Sequence, residues 1–127
     1  MKFIFFATLL LFSINGFAFN WKKVTEGFNN GHSFYVDIEN IKKHNGLVYY
    51  WMLVDRLEPT TIGVNSSISK FKVDCVIEKL TRINSTFYSQ SMGRGKIITE
   101  TTPNKILYPK PNTVTYTVMK FACNNAR

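Results

Sequence analysis

The sequence is poor in the residues that mark an enzyme or a metalloprotein. It has two cysteines, two histidines and only 8 acidic residues against 16 lysines and arginines. The cysteines lack C-x-x-C spacing, which disfavours a catalytic dithiol. Neither His32 nor His44 stands at zinc-ligand spacing from a cysteine, so no metal and no cofactor is expected. No G-x-S-x-G, H-E-x-x-H or P-loop pattern occurs. His32 sits in a glycine-containing turn and His44 between polar neighbours. Asp37 and Asp55 fall near strand ends, where carboxylates commonly cap turns. The chain is therefore expected not to be an enzyme. The shortage of acids leaves a formal charge of +8. Such a surface either serves solubility alone or is drawn to anionic partners, here glycans and envelope polymers rather than nucleic acid.

Long apolar runs are also missing. The longest, Phe3 to Ile14, falls short of the ~20 residues a membrane span needs. Lys2 precedes it, and Gly16 and Ala18 follow at small-residue cleavage positions. This is the pattern of a signal peptide over residues 1–18, leaving 19–127 as one domain without an integral membrane segment. No cysteine follows the cleavage position to accept a lipid. The expected location is exported: periplasmic, or at the cell surface and beyond. Export puts the cysteines in an oxidising compartment, where two allow one intramolecular pairing, Cys75 with Cys123.

The remaining chain reads mainly as strand. "NWKKV" and "SFYVD" are short candidates, separated by the turn-forming "EGFNNGH". "IENIKKHNG" is either a short helical turn capped by Asp37 or a plain loop. "LVYYWMLVDRL" is apolar on both faces and reads as a central strand. Its second cover is a helix, the chain termini or a partner subunit. Residues 67–79 read as one half-buried strand, with Phe71, Val73, Cys75 and Ile77 on one face and Lys70, Lys72, Asp74 and Glu78 on the other. "LTRINSTFYSQS" follows as its antiparallel neighbour, and "PNKILYPKPN" as a loop. The tail "TVTYTVMKFACNN" is strand by composition, yet Val114, Val118, Phe121 and Ala122 also fit one helical face behind Pro111 and Asn112. The sum is a β-rich α+β domain with an antiparallel sheet of about five or six strands.

Two groups of residues are candidates for binding. Lys70, Lys72, Arg94 and Lys96 are the exposed cations expected to meet a partner, although the mixed charges around Lys70 and Lys72 equally fit an ordinary solvated face. Around Arg94, Gly93 and Gly95 either let backbone N–H groups cradle an anion or form a simple β-turn. Tyr50, Trp51 and Tyr88 are the candidate lining of an apolar pocket.

The order of features along the chain carries a resemblance. Trp21 is followed by "YVD", Ile41, "VYYWMLVD", "SSISKFKVDC", Arg82, "YSQSMGRG", Pro111 and "FACN". This series resembles the surface-adhesin protein E-like family of small exported proteins of Gram-negative bacteria. The resemblance implies a compact antiparallel sheet, similar to extracytoplasmic PAS-like domains, with a small C-terminal helix over residues 112–122. It also implies Cys123 on that helix joined to Cys75 on the sheet. It further implies a non-enzymatic binding module for host matrix or plasma proteins, such as vitronectin, laminin and plasminogen, with a capacity to form homodimers. The lipobox cysteine of the family's best-studied member is missing here. The alternative role is a periplasmic PAS-like ligand-sensing or envelope-associated domain.

Overall fold

The β-branched and aromatic residues that alternate with polar ones build strands, and the strands form one sheet. The computed structural model describes residues 18–27 and 30–127. The signal-peptide segment 1–17 and residues 28–29 of the predicted turn lie outside the described residues. The strands are β1 (Trp21–Glu26), β2 (Ser33–Asp37), β3 (Lys42–His44), β4 (Leu47–Asp55), β5 (Ser66–Asp74), β6 (Lys79–Gln90), β7 (Arg94–Thr101) and β8 (Lys105–Leu107). Helix α1 (Val114–Asn124) follows. The sheet runs β1-β2-β4-β5-β6-β7, with β3 pairing β4 and β8 pairing β6, and every pairing is antiparallel.

Period-two alternation splits β4 between two faces. Val48 and Tyr50 stand beside Val73 and Phe71 of β5 on one face. There Val118, Met119 and Ala122 of α1 pack against Val36, Val48, Tyr50, Phe71, Val73 and Leu80, all buried. The Tyr50 and Phe71 rings stack at 5.3 Å. Burying each large apolar side chain stabilises the fold by about 1.5–3 kcal/mol. This packing decides the tail in favour of helix over its strand-like composition. Thr113 supplies the N-cap, its Oγ1 accepting from the Tyr116 N–H.

Strand ends are set by small polar residues. Asp37 is fully buried, and its carboxylate accepts from the backbone N–H groups of Asn20 and Glu39 and from Asn40 Nδ2. No helical turn follows it. The chain forms β3 and turns through Asn45 and Gly46, both at positive φ, into β4. The strand expected over 67–79 ends at Asp74, whose Oδ1 accepts from the Val76 and Ile77 N–H groups. Cys75 therefore belongs to the β5–β6 turn and not to a strand interior, and Ile77 points to solvent.

The turn position lets Cys75 reach Cys123 on α1, and the two form a disulfide closing a separation of 48 residues. Glu78 in the same turn adds a second tie, accepting from Tyr116 Oη at 2.9 Å and pairing with Lys120 at 3.5 Å. That bond raises the Tyr116 pKa, because it favours the protonated phenol. At the other end of β4, Asp55 Oδ1 accepts from the Met92 N–H, and Ser66 Oγ accepts from the Gly93 N–H. These bonds fold the 91–93 turn over Leu53 and Ile68.

Three outcomes are expected. Cys75→Ser with Cys123→Ser should lower unfolding stability by about 4 kcal/mol, read from urea denaturation with the oxidised protein as reference. Gly93→Ala should cost more than Gly46→Ala in the same assay. Both need positive φ, worth about 1–2 kcal/mol, but only at Gly93 would the new Cβ fall 2.8 Å from Ile68 Cδ1. His32 supplies a pH response: its Nδ1 accepts from the Leu57 N–H at 3.1 Å. Burial, and then nearby Arg56, lowers its pKa from the ordinary 6.5. The unfolded chain therefore binds the proton more tightly, so this contribution is intact above pH 6.5 and fades as pH falls through the depressed folded value. Hydrogen-exchange protection of the Leu57 amide should fall over that range and become flat in His32→Ala.

Candidate binding surface

The face of the sheet opposite α1 carries the other half of the alternation. Its central rows pair Tyr49 with Lys72, Trp51 with Lys70 and Leu53 with Ile68 across β4 and β5. Thr81 and Asn84 of β6 continue the lysine rows. Lys70 Nζ lies 5.4 Å from the Trp51 ring centroid and 5.9 Å from that of Tyr49. A lysine so placed buries its stem along aromatic surface and keeps its charge outward. Lys70 and Lys72 thus stand together on β5 beside the aromatic residues of β4, and Lys70 is held over the Tyr49 and Trp51 rings. Phe19 extends the aromatic surface, stacked on Trp21 at 4.5 Å and edge-on to Trp51 at 5.8 Å. Carboxylates also stand on this face: Asp74 lines one pocket with Lys72, and Asp55 lies opposite Ser66 at the far end of the β4–β5 pair. Glu26 pairs with Lys23 on β1, and Glu100 faces Thr86 on β7.

Arg94 and Lys96 are exposed on β7 and belong to a different region. Arg94 is level with Gln90 of β6, whereas Lys70 is level with Asn84. Six residues of strand separate those rows, or about 20 Å. The four cations therefore form two pairs. The backbone around Gly93 has its own partners: Asp55 takes the Met92 N–H, Ser66 the Gly93 N–H and Ser89 Oγ the Lys96 N–H. These amides serve the turn.

Tyr50, Trp51 and Tyr88 do not meet. Tyr50 is 1 % exposed beneath α1, and burial pushes its phenol pKa upward. Trp51 and Tyr88 lie on the opposite face, in register with Lys70 and with Ser66 and Ile97 respectively. Sequence reading missed what Asp55 and Ser66 do. The available signal was the pairing of "VD" and "SS" at two strand ends with a Gly-rich segment, which leaves the segment's amides to be satisfied. His44 meets Asn45 at 3.2 Å, and its ring centroid lies 6.4 Å from that of Tyr49. Among the described residues no helix is long and apolar enough to cross a membrane.

Comparison with known proteins agrees with this architecture. No curated protein matches the chain. A structure of Haemophilus influenzae protein E superposes with a TM-score of 0.60 at 21 % identity, covering 81 % of this chain and 84 % of that one. A second crystal form gives 0.59 at 22 %, covering 81 % and 87 %. Protein E from non-typeable Haemophilus influenzae gives 0.57 at 21 %, covering 81 % and 76 %. These likenesses show a shared fold. The model of the family described as surface-adhesin protein E matches residues 21–124, from the first strand to the last residue of the helix, and the chain belongs to that family.

Proposed function

We propose that this chain is an exported, non-enzymatic adhesin that binds an acidic partner through the face of the sheet that α1 leaves open. The observation that carries this reading is the placement of Lys70 and Lys72 beside Tyr49 and Trp51, with both lysines on the central strand β5 and Lys70 over the rings. A cation held against aromatic surface loses little freedom when it meets a partner, so its attraction is not offset by ordering a long side chain. The exposed sheet face suits an extended acidic segment of a host matrix or plasma protein, or an anionic glycan of similar width. Family membership supports export and adhesion as the class of role. Arg94 and Lys96 form a separate basic edge whose contribution is expected to add to the first pair independently, given their separation.

The test is binding of the oxidised protein to immobilised vitronectin and to heparin at rising salt. Lys70→Glu with Lys72→Glu should weaken binding by about tenfold, or ~1.4 kcal/mol, and flatten the salt dependence. Arg94→Glu with Lys96→Glu should weaken it by less. Wild-type affinity in both double variants, or binding indifferent to salt, would refute the proposal.

A further inference from the structure

On the helix side of the sheet, α1 does not reach the end of β4, β5 and β6 nearest the 56–65 segment. A groove of about 400 Å³ remains there. Val54 and Phe87 form its floor, and Ile62 and Val64 its wall. Arg56 is the one charged residue that lines it; the other polar lining residues are threonines and a serine, and no carboxylate is among them.

The wall is preformed. Arg56 N–H donates to the Asn65 carbonyl, and Thr60 N–H to that of Val64. Val64 N–H returns a bond to Thr60 Oγ1, and Gly63, at φ +87°, donates to the Thr60 carbonyl. This closed turn holds Ile62 at its tip, 67 % exposed, beside the groove. Arg56 Nε donates to the Glu58 carbonyl, and Arg56 makes no ion pair among the described residues.

We propose that the groove binds a small single-chain amphiphile with one carboxylate: a free alkyl carboxylate of medium length. Its chain lies on Phe87 and Val54 against Ile62, and its carboxylate meets the Arg56 guanidinium. The volume is at the small end of the range for ligand sites, which suits one chain and not a two-chain lipid. Most of the lining surface is apolar, and a lone cation with no carboxylate lining the groove selects a negative head group over a neutral or positive one. The groove lies on the opposite face of the sheet from Lys70 and Lys72, so this site is independent of the adhesive reading.

The experiment is titration of the oxidised chain, followed by amide chemical shifts, with decanoate, decanol and decyltrimethylammonium, each below its micelle concentration. Decanoate should give saturable shifts confined to Val54, Ile62, Val64, Phe87 and their neighbours. Arg56→Gln should weaken decanoate binding about tenfold while leaving decanol binding unchanged. Ile62→Ser, at an exposed tip that the fold does not require, should weaken both. Decyltrimethylammonium should bind less tightly than decanoate. Absent or protein-wide shifts, equal affinity for the cationic amphiphile, or wild-type decanoate affinity in a folded Arg56→Gln variant would overturn the proposal.

Discussion

Among the described residues, one helix of 11 residues has to cover a sheet six strands wide. A helix with its side chains is about 10 Å across, and six strands span about 24 Å. The helix can therefore seal only part of one face, and its position decides what every other part of the sheet must do. Val118, Met119 and Ala122 fix it over Val36, Val48 and Tyr50, and the Cys75–Cys123 bond and Glu78 hold its two flanks to the β5–β6 turn. Beyond its reach the helix-side face mixes small polar residues with Met52, Val54 and Phe87. Ser69 and Ser85, both buried, meet there through their hydroxyls at 2.6 Å and satisfy each other. The 56–65 segment then crosses the remaining floor without filling it. The open opposite face and the partly filled groove are two consequences of one shortage of covering chain.

The small polar residues in the motifs that carry the family resemblance are mostly the ones that end strands. Asp37 closes β2, Asp74 closes β5, and Asp55 with Ser66 ties the 91–93 turn across the mouth of the β4–β5 pair. Asp37 shows why such positions are demanding. A carboxylate at 0 % exposure is costly unless donors surround it, and here two backbone amides and one side-chain amide do so. The glycine-rich segment that looked like an anion cradle belongs to the same class, since its amides are occupied by an aspartate and a serine. A motif of this kind specifies the fold and leaves the ligand open.

Most of the sheet was legible because β-strand alternation is local. The two apolar faces of Leu47–Asp55 announced a central strand, and the Lys70 and Lys72 face followed from the same period. Local reading failed where a side chain and not a period decided the outcome. Asp74 ended β5 by accepting two turn amides, which moved Cys75 out of the strand. Asn45 and Gly46 reversed the chain after three residues of β3, too short a strand to show alternation. The grouping of Tyr50 with Trp51 and Tyr88 failed for a simpler reason: neighbours along a strand point to opposite faces, so composition grouped what the pleat separates. The groove was not legible at all, because it arises from where α1 stops, and that depends on contacts distant in sequence.

The basic character of the chain acquires a different meaning once the cations are placed. A net charge of +8 spread evenly would serve solubility alone. Lys70 is instead set over Trp51 and Tyr49, so part of that charge is tied to the rigid centre of the sheet. Arg94 and Lys96 sit on the edge strand, and Arg56 stands at the groove on the reverse side. Because the sheet itself separates these groups, a change in one need not be transmitted to another unless the strands shift. The strands are pinned by the disulfide at one end and by Asp55 and Ser66 at the other. A molecule built this way presents its surfaces as separate sites on a stiff plate, and its binding events should combine by simple addition.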